Sequence, residues 1–101
     1  MKSNTSYVCG TSDQPLIYQT IGDALDQVVE QWGDKEAIVV RHQGIRWTYR
    51  QLAAEIDAFA AGLLALDLQK GDRVGIWSPN NIEWVIAQFA TARAGLILVN
   101  I

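Results

Sequence analysis

At 101 residues the chain has room for one domain, and half of its residues are hydrophobic, which is a globular composition. Eight basic residues against eleven acidic ones give a net charge of −3 without a basic cluster. This balance argues against nucleic acid as a partner, because phosphate binding needs concentrated Lys and Arg. Cys9 is the single cysteine, which excludes an internal disulfide and a multi-cysteine metal site and is interpreted as an ordinary thiol.

The amino-terminal segment is polar. It lacks the continuous apolar core of a signal peptide, and no apolar stretch of the sequence approaches the roughly 20 residues that span a bilayer. We therefore expect no transmembrane segment and a cytoplasmic protein. Residues 1–19 are rich in turn formers, with Gly10, Ser12, Asp13 and Pro15 close together, and we predict an extended lead-in there.

The first helix is predicted to begin after Thr20, whose hydroxyl is suited to cap it, and to end at Gly33. Three carboxylates, Asp23, Asp26 and Glu30, lie off its apolar stripe. Paired carboxylates can perform acid–base chemistry, but this position favours a solvated helix face. The apolar stripe follows i, i+3, i+4 spacing and consists of Ile21, Ala24, Leu25, Val28, Val29 and Trp32.

A β-hairpin is predicted next, from two short strand-like runs at Ala37–Arg41 and Ile45–Trp47. The intervening loop contains His42, Gln43 and Gly44, and a short loop with glycine is typical of a hairpin. His42 is the single histidine of the sequence and has no metal partner in the pattern, so we interpret it as a loop residue.

The second helix carries the clearest local signal. Thr48-Tyr49-Arg50-Gln51 fits the capping box, in which the Thr and Gln side chains satisfy each other's backbone N–H groups. A turn over Asp67–Asp72 follows the helix. The predicted apolar stripe of this helix consists of Tyr49, Leu52, Ala53, Ile56, Phe59, Ala60, Leu63 and Leu64.

The last third of the chain predicts a parallel β-α-β unit. Gly71–Trp77 contains a short strand, Asn80–Gly95 has helical spacing, and Leu96–Ile101 is an apolar run typical of a strand buried on both faces. Either Ser78 or Asn80 is predicted to cap the helix. A strand of this type needs neighbours, which predicts the front end of a larger α/β protein.

The glycines of the same unit do not form the pattern of a phosphate-binding loop. Gly71 and Gly75 precede and enter a strand, whereas phosphate loops follow a strand and open a helix. The corresponding position, Ser78–Asn81, has neither glycine nor lysine, so a helix cap is the preferred interpretation. Residues alone thus predict an incomplete α/β domain without a catalytic, cofactor-binding or metal site. The four tryptophans are interpreted as packing residues, namely Trp32, Trp47, Trp77 and Trp84.

Ile45–Ile101 resembles the amino-terminal end of the adenylate-forming superfamily of acyl-CoA synthetases, luciferases and peptide synthetase adenylation domains. Trp47–Leu52 is similar to the family's first core motif, an aromatic Thr-Tyr pair that opens a helix. Ala92–Ile101 is similar to its second, an Ala-Gly before a hydrophobic strand. Ser6–Leu25 and the ending ILVNI look most like the medium- to long-chain fatty acyl-CoA synthetase branch.

The resemblance implies that residues 20–101 form part of the amino-terminal subdomain of an AMP-binding domain. It implies a parent ligase that converts a fatty acid and ATP, with Mg²⁺, to an acyl-adenylate and pyrophosphate, and then transfers the acyl group to coenzyme A. The family's phosphate loop, ribose-binding Asp and catalytic Lys correspond to positions beyond Ile101. No catalytic, cofactor-binding or metal residue is therefore carried over, and we expect the 101-residue chain to be inactive alone and to self-associate.

Two other classes stay open. A free-standing nucleotide-binding or receiver-like α/β module would need further strands and a carboxylate or glycine loop at a strand's carboxyl end. A small non-catalytic α/β interaction module, completed by oligomerisation, needs no catalytic residue at all.

Overall fold

The computed structural model describes residues 4–101, and helices and strands alternate along most of that range. The residues before the first helix, 4–20, form no helix or strand and are exposed. Seven main elements follow in chain order: α1 Ile21–Trp32, β1 Glu36–Val40, β2 Ile45–Thr48, α2 Tyr49–Ala65, β3 Arg73–Ile76, α3 Ile82–Arg93 and β4 Ile97–Asn100.

Helix α1 begins at its predicted cap. The Thr20 hydroxyl oxygen accepts a hydrogen bond from the Asp23 backbone N–H at 3.0 Å. The helix ends at Gly33 as predicted, but Gly33 keeps right-handed helical angles rather than a left-handed cap. Glycine is required there for space, because an added Cβ would lie 2.6 Å from the Val29 carbonyl oxygen and against the Arg50 guanidinium. The start of α2 approaches closely at this point, where the Arg50 N–H donates to the Gly33 carbonyl at 3.0 Å.

The predicted apolar stripe of α1 is correct in its middle and wrong at its ends. Within the described helix, Leu25 alone is buried, and Val28 and Val29 are half-buried. Ile21 is 59% exposed and Trp32 is 48% exposed. The helix therefore contacts the rest of the protein through its central turns.

Strands β1 and β2 form the predicted antiparallel hairpin, with Val40 opposite Ile45. Arg41 belongs to the connection rather than to the strand, because Arg41–Gln43 forms one turn of 3₁₀-helix. Gly44 then has a φ of 67°, the left-handed conformation in which glycine is favoured.

Helix α2 has the predicted capping box. The Thr48 hydroxyl accepts from the Gln51 N–H at 3.2 Å, and the Gln51 side-chain oxygen accepts from the Thr48 N–H at 2.9 Å. Its predicted stripe is too broad, because Phe59 and Leu64 are exposed. The buried face of α2 is narrower and consists of Leu52, Ala53, Ile56, Ala60 and Leu63.

Strands β3 and β4, which precede and follow α3 in the chain, pair directly with each other in parallel, as predicted, and Val74 lies opposite Leu98. This pair and the hairpin are two separate two-stranded sheets in the described part of the chain. The predicted caps of α3 were wrong. Asn81 caps the helix, since its side-chain oxygen accepts from the Trp84 N–H at 3.1 Å, and Ser78 supports Asn81 instead.

The core lies where α2 and α3 pack against each other. Its one buried polar residue among those described, Thr91, is satisfied because its hydroxyl donates to the Ala87 carbonyl at 2.8 Å. The tryptophan prediction was half wrong, since Trp32 is half-exposed and Trp77 is 87% exposed. The buried cluster is formed by Leu25, Leu52, Ile56, Ala60, Leu63, Ile82, Ile86, Ala90 and Leu96.

Within residues 4–101, none of the helices is long and apolar enough to cross a lipid bilayer.

Candidate site at the amino terminus of helix α3

The β3–α3 connection is the position in this fold where a phosphate would be expected. The chain leaves the carboxyl end of β3, turns over residues 77–81 and enters α3. A helix amino terminus carries a partial positive charge and unpaired N–H groups, and anions bind there when those groups face solvent. The question is whether the N–H groups of α3 are available to a ligand.

Side chains of the protein itself occupy those groups. The Gln43 side-chain oxygen accepts from the Ile82 N–H at 2.8 Å, and the Asn81 oxygen accepts from the Trp84 N–H at 3.1 Å. The Asn81 amide in turn donates to the Ser78 hydroxyl oxygen at 2.9 Å, which fixes the orientation of the cap. Two N–H groups at the helix start are therefore already bound by side chains of the protein, and this geometry does not fit a phosphate ligand.

A carboxylate adds to this arrangement. The Gln43 amide donates to Glu83 at 2.9 Å, and this hydrogen bond, together with the backbone N–H of Glu83 itself, lowers the pKa of the Glu83 carboxyl. The nearby His42 acts in the same direction. An anionic side chain in the first turn of α3 already has the favourable position relative to the helix dipole and would repel a second anion. The Gln43 contacts join the hairpin turn to α3 across 39 and 40 positions of sequence.

A shallow groove of about 320 Å³ lies beside this contact, between the hairpin and α3. Arg41, His42, Asn80 and Asn81 provide its polar groups, while β1 and Val85 provide apolar walls. His42 is exposed in the 3₁₀ turn, as its interpretation as a loop residue requires. The groove is wide open to solvent, so its walls cannot exclude water in the way that enclosed catalytic sites do.

The single cysteine lies away from this groove. Cys9 is exposed on the lead-in, with its thiol 3.5 Å from the Gly10 carbonyl. No group of three or more His, Cys, Asp or Glu residues in the described range 4–101 is arranged to hold a metal ion. The prediction that the chain carries no catalytic, cofactor-binding or metal residue stays a prediction.

The α1 carboxylates Asp23, Asp26 and Glu30 are exposed, as the solvated-face interpretation predicts, and Asp26 in addition forms an ion pair. Arg93 of α3 donates to both Asp26 oxygens, at 2.8 and 3.3 Å. The Arg93 Nε also lies 2.8 Å from Asp57 of α2, an ion pair by distance whose N–H direction lies outside hydrogen-bond geometry. We call Arg93, Asp26 and Asp57 the Arg93 clamp. The hydrogen bond from Arg93 lowers the pKa of Asp26, and it raises the pKa of Arg93.

Sequence reasoning missed both Gln43 and the Arg93 clamp. Neither has a local signal, because Gln43 is an ordinary loop residue and Arg93 reaches partners 67 and 36 positions away. The Asn81 cap did have a signal, since Asn is a preferred capping residue. Ser78 and Asn80 were predicted in its place, because Ser and Asn are both preferred capping residues.

Comparison with known proteins identifies the family. Residues 25–101 match the family model described as "AMP-binding enzyme". The chain belongs to the AMP-binding enzyme family. The resemblance drawn from the Thr-Tyr and Ala-Gly motifs is thereby confirmed.

The curated relatives are acyl-CoA ligases. The chain is 46% identical over 96 residues to the mouse (Mus musculus) protein named medium-chain acyl-CoA ligase ACSF2, mitochondrial. The matched region covers 95% of this chain and 16% of that relative. It is 50% identical over 95 residues to the zebrafish (Danio rerio) protein of the same name, and this match covers 94% of this chain and 16% of that relative. The Bacillus subtilis protein named putative acyl-CoA synthetase YngI is 41% identical over 86 residues, and this match covers 85% of this chain and 16% of that relative. The chain thus spans about a sixth of the length of these relatives.

Solved structures agree on the fold. A Mycobacterium tuberculosis fatty acyl CoA synthetase superposes with a TM-score of 0.78 at 33% identity, covering 81% of this chain and 16% of that chain. The N-terminal subdomain of Klebsiella oxytoca NpsA superposes with a TM-score of 0.76 at 29% identity, covering 81% of this chain and 21% of that chain. The predicted fold class, an amino-terminal part of the large domain of an adenylate-forming enzyme, is confirmed.

Proposed function

We propose that the chain forms the amino-terminal part of a longer ATP-dependent fatty acid–CoA ligase. The observation that carries this proposal is the 46–50% identity to acyl-CoA ligases over nearly the whole chain. The share of those relatives that the chain spans, 16%, supports a role as one part of a larger catalytic unit.

The proposed overall reaction has two stages. A fatty acid and ATP give an acyl-adenylate and pyrophosphate, and coenzyme A then takes up the acyl group with release of AMP. ATP, Mg²⁺ and coenzyme A would be the cofactor and substrates of the whole protein. Residues 4–101 do not fit these groups, because side chains already bind two N–H groups at the α3 amino terminus and the described carboxylates form no metal-binding cluster.

The role of this chain is therefore structural. Thr48 and Gln51 fix the start of α2, Asn81 and Gln43 fix the start of α3, and α3 holds β3 and β4 in parallel register. Each contact reduces the conformational freedom of the backbone or of a side chain near β3 and β4, the strands that a longer sheet would extend. We propose that the 101-residue chain forms no acyl-adenylate by itself.

Two finer points belong to the same proposal. We propose medium- to long-chain fatty acids as substrates, supported by the medium-chain ligases among the relatives. We also propose a cytoplasmic location, while the vertebrate relatives are named as mitochondrial proteins. Fractionation of source cells, followed by detection with an antibody against α2, would test the location. Recovery of the protein in an organelle fraction would contradict it.

The alternative function is a small non-catalytic α/β interaction module that is completed by oligomerisation. One observation favours it, namely the apolar residues that β4 and its end leave partly exposed, Ile97, Val99 and Ile101. An exposed hydrophobic strand edge is a template for pairing with another chain.

The deciding experiment uses the protein at its natural length, as encoded in the source genome. It is incubated with Mg²⁺, ATP, coenzyme A and, separately, acetate, octanoate or palmitate, and pyrophosphate release and acyl-CoA formation are measured. We expect both products with octanoate and palmitate and little with acetate. The 101-residue chain serves as the matched control and should give neither product. A natural-length protein that gives no product with any fatty acid would overturn the proposed function, and activity in the control would overturn the structural role.

A further inference from the structure

Helix α1 is attached to the rest of the protein at three places. Its carboxyl end is fixed by the backbone, since the Arg50 N–H donates to the Gly33 carbonyl at 3.0 Å. Its centre packs through Leu25, which is buried, and Val29, which is half-buried. The preceding lead-in, residues 4–20, is exposed and gives α1 little support from its other end.

The third attachment is electrostatic. Arg93 bridges Asp26 of α1 and Asp57 of α2, and the charge of Asp23 also acts on the guanidinium. The two carboxylates are 63% and 59% exposed, but the Arg93 side chain is 22% exposed, so solvent screens these pairs less than it screens Arg46–Glu36 on the hairpin, where the Arg is 67% exposed. A network around one partly buried Arg contributes more than isolated surface pairs do.

Helix α1 borders a groove of about 320 Å³ that also contacts α3 and β4, and the residues of the Arg93 clamp do not line this groove. Ile21, at the amino end of α1, forms one wall of this groove. Trp84 and Gln88 of α3 and Leu98 of β4 form the others. Movement of α1 about its fixed carboxyl end would displace Ile21 most, because the amino end is farthest from that attachment.

We propose that α1 is a hinged wall of the α3–β4 groove, which pivots near Gly33 and is held closed by the Arg93 clamp. Its apolar contact is small and its remaining attachment is ionic, so α1 detaches before α2 and α3 separate. Once detached, a helix of 12 residues is too short to keep its backbone hydrogen bonds in water, so its amides exchange. Because salt weakens the ion pairs more than it weakens the apolar core, the open population rises with ionic strength. This inference does not depend on the proposed ligase activity.

Hydrogen exchange followed by mass spectrometry tests the proposal on the natural-length protein. Three forms are compared: wild type, Arg93→Met, and the matched control Arg46→Met, which removes a salt bridge on the hairpin. We expect peptides from α1 to exchange about tenfold faster in Arg93→Met, while peptides from residues 52–63 of α2 keep their protection. In Arg46→Met the exchange of α1 should be unchanged.

A salt series on the wild type gives the same answer without a mutation. Raising the salt from about 0.1 M to about 1 M shortens the screening length from about 10 Å to about 3 Å and should speed exchange in α1 selectively. Asp26→Asn, which leaves the Asp57 pair intact, should give a smaller effect of the same sign. Unchanged exchange of α1 in Arg93→Met and in high salt would overturn the proposal. Equal acceleration of α1 and α2, or equal acceleration by Arg46→Met, would overturn it as well.

Discussion

Arg93 and Asp26 lie 67 positions apart in the chain, and the Arg93 Nη2 lies 2.8 Å from the Asp26 Oδ1. This pair joins the end of α3 to the middle of α1. Asp57 brings α2 to the same guanidinium, so one side chain connects all three helices.

The pair should make the attachment of α1 sensitive to acid. Arg93 holds the pKa of Asp26 below its usual value of 3.8 in the folded protein. A carboxylate with a lowered folded pKa contributes stability above its unfolded pKa, and the contribution is lost as the pH falls through the folded pKa. We expect protection of α1 against hydrogen exchange to fall below pH 3.8, after correction for the intrinsic exchange rate. Arg93→Met should flatten this dependence, and an identical pH profile in that variant would contradict the assignment.

Two glycines should respond to alanine with opposite signs. At Gly33 an added Cβ would lie 2.6 Å from the Val29 carbonyl oxygen, so Gly33→Ala should destabilise the protein by about 1–3 kcal/mol. At Gly62, in the last turn of α2, a Cβ meets open space, so Gly62→Ala should stabilise it by about 0.5–1 kcal/mol. Chemical unfolding of the natural-length variants measures both effects. A stabilising Gly33→Ala would show that the close approach of Arg50 is relieved at no cost.

Gln43→Leu tests the join between the hairpin turn and α3. The change removes the acceptor of the Ile82 N–H and the donor to Glu83, and it should cost about 1–2 kcal/mol in the free energy of unfolding. Gln88→Leu, at an exposed position of the same helix, is the matched control and should change stability by less than about 0.5 kcal/mol. Equal changes in the free energy of unfolding for the two variants would contradict the capping role of Gln43.

Ile56→Ala should be the most destabilising single truncation of α2. Ile56 is fully buried between the helices, and shortening a buried Ile to Ala costs about 2–5 kcal/mol through lost burial and the cavity left behind. Leu66→Ala is the control, because Leu66 is 72% exposed and its truncation should cost less than about 0.5 kcal/mol. Unfolding midpoints measured in denaturant would compare the two, and a loss below about 1 kcal/mol at Ile56 would contradict the packing described for the core.

The 101-residue chain by itself should self-associate. The residues of β4 leave Ile97 and Val99 partly exposed, α2 exposes Phe59, and an apolar strand edge recruits a second copy. Sedimentation velocity over a range of concentrations should show a rising average mass. A compact monomer at every concentration, with one cooperative unfolding transition, would count against this expectation.

Much of the fold was readable from local sequence. Thr20, the Thr48–Gln51 capping box and the glycine-containing hairpin loop were predicted because each signal involves residues within a few positions of one another. The apolar run after α3 predicted a parallel strand, and β4 confirms it. The family resemblance came from short motifs in conserved order along this chain, and the match over residues 25–101 confirms it.

Periodicity was less reliable about how wide a buried face would be. Phe59 and Leu64 follow the helical spacing of α2 yet are exposed, and Ile21 and Trp32 do the same on α1. Spacing places a residue on one side of a helix, but burial depends on how far the neighbouring elements extend over that side. Trp77 shows the same limit at the end of a strand, where no described element covers it.

The sequence by itself determined the order of the elements, the amino-terminal caps of α1 and α2 and the family, because those properties depend on neighbouring residues and on motifs. Tertiary structure decided what becomes of the α3 amino terminus and of the Asp26 carboxylate. Gln43 closes the first from 39 positions away, and Arg93 binds the second from 67 positions away. Contacts across such separations have no local signal, because the partners meet only after the helices have packed and the chain between them has been brought back.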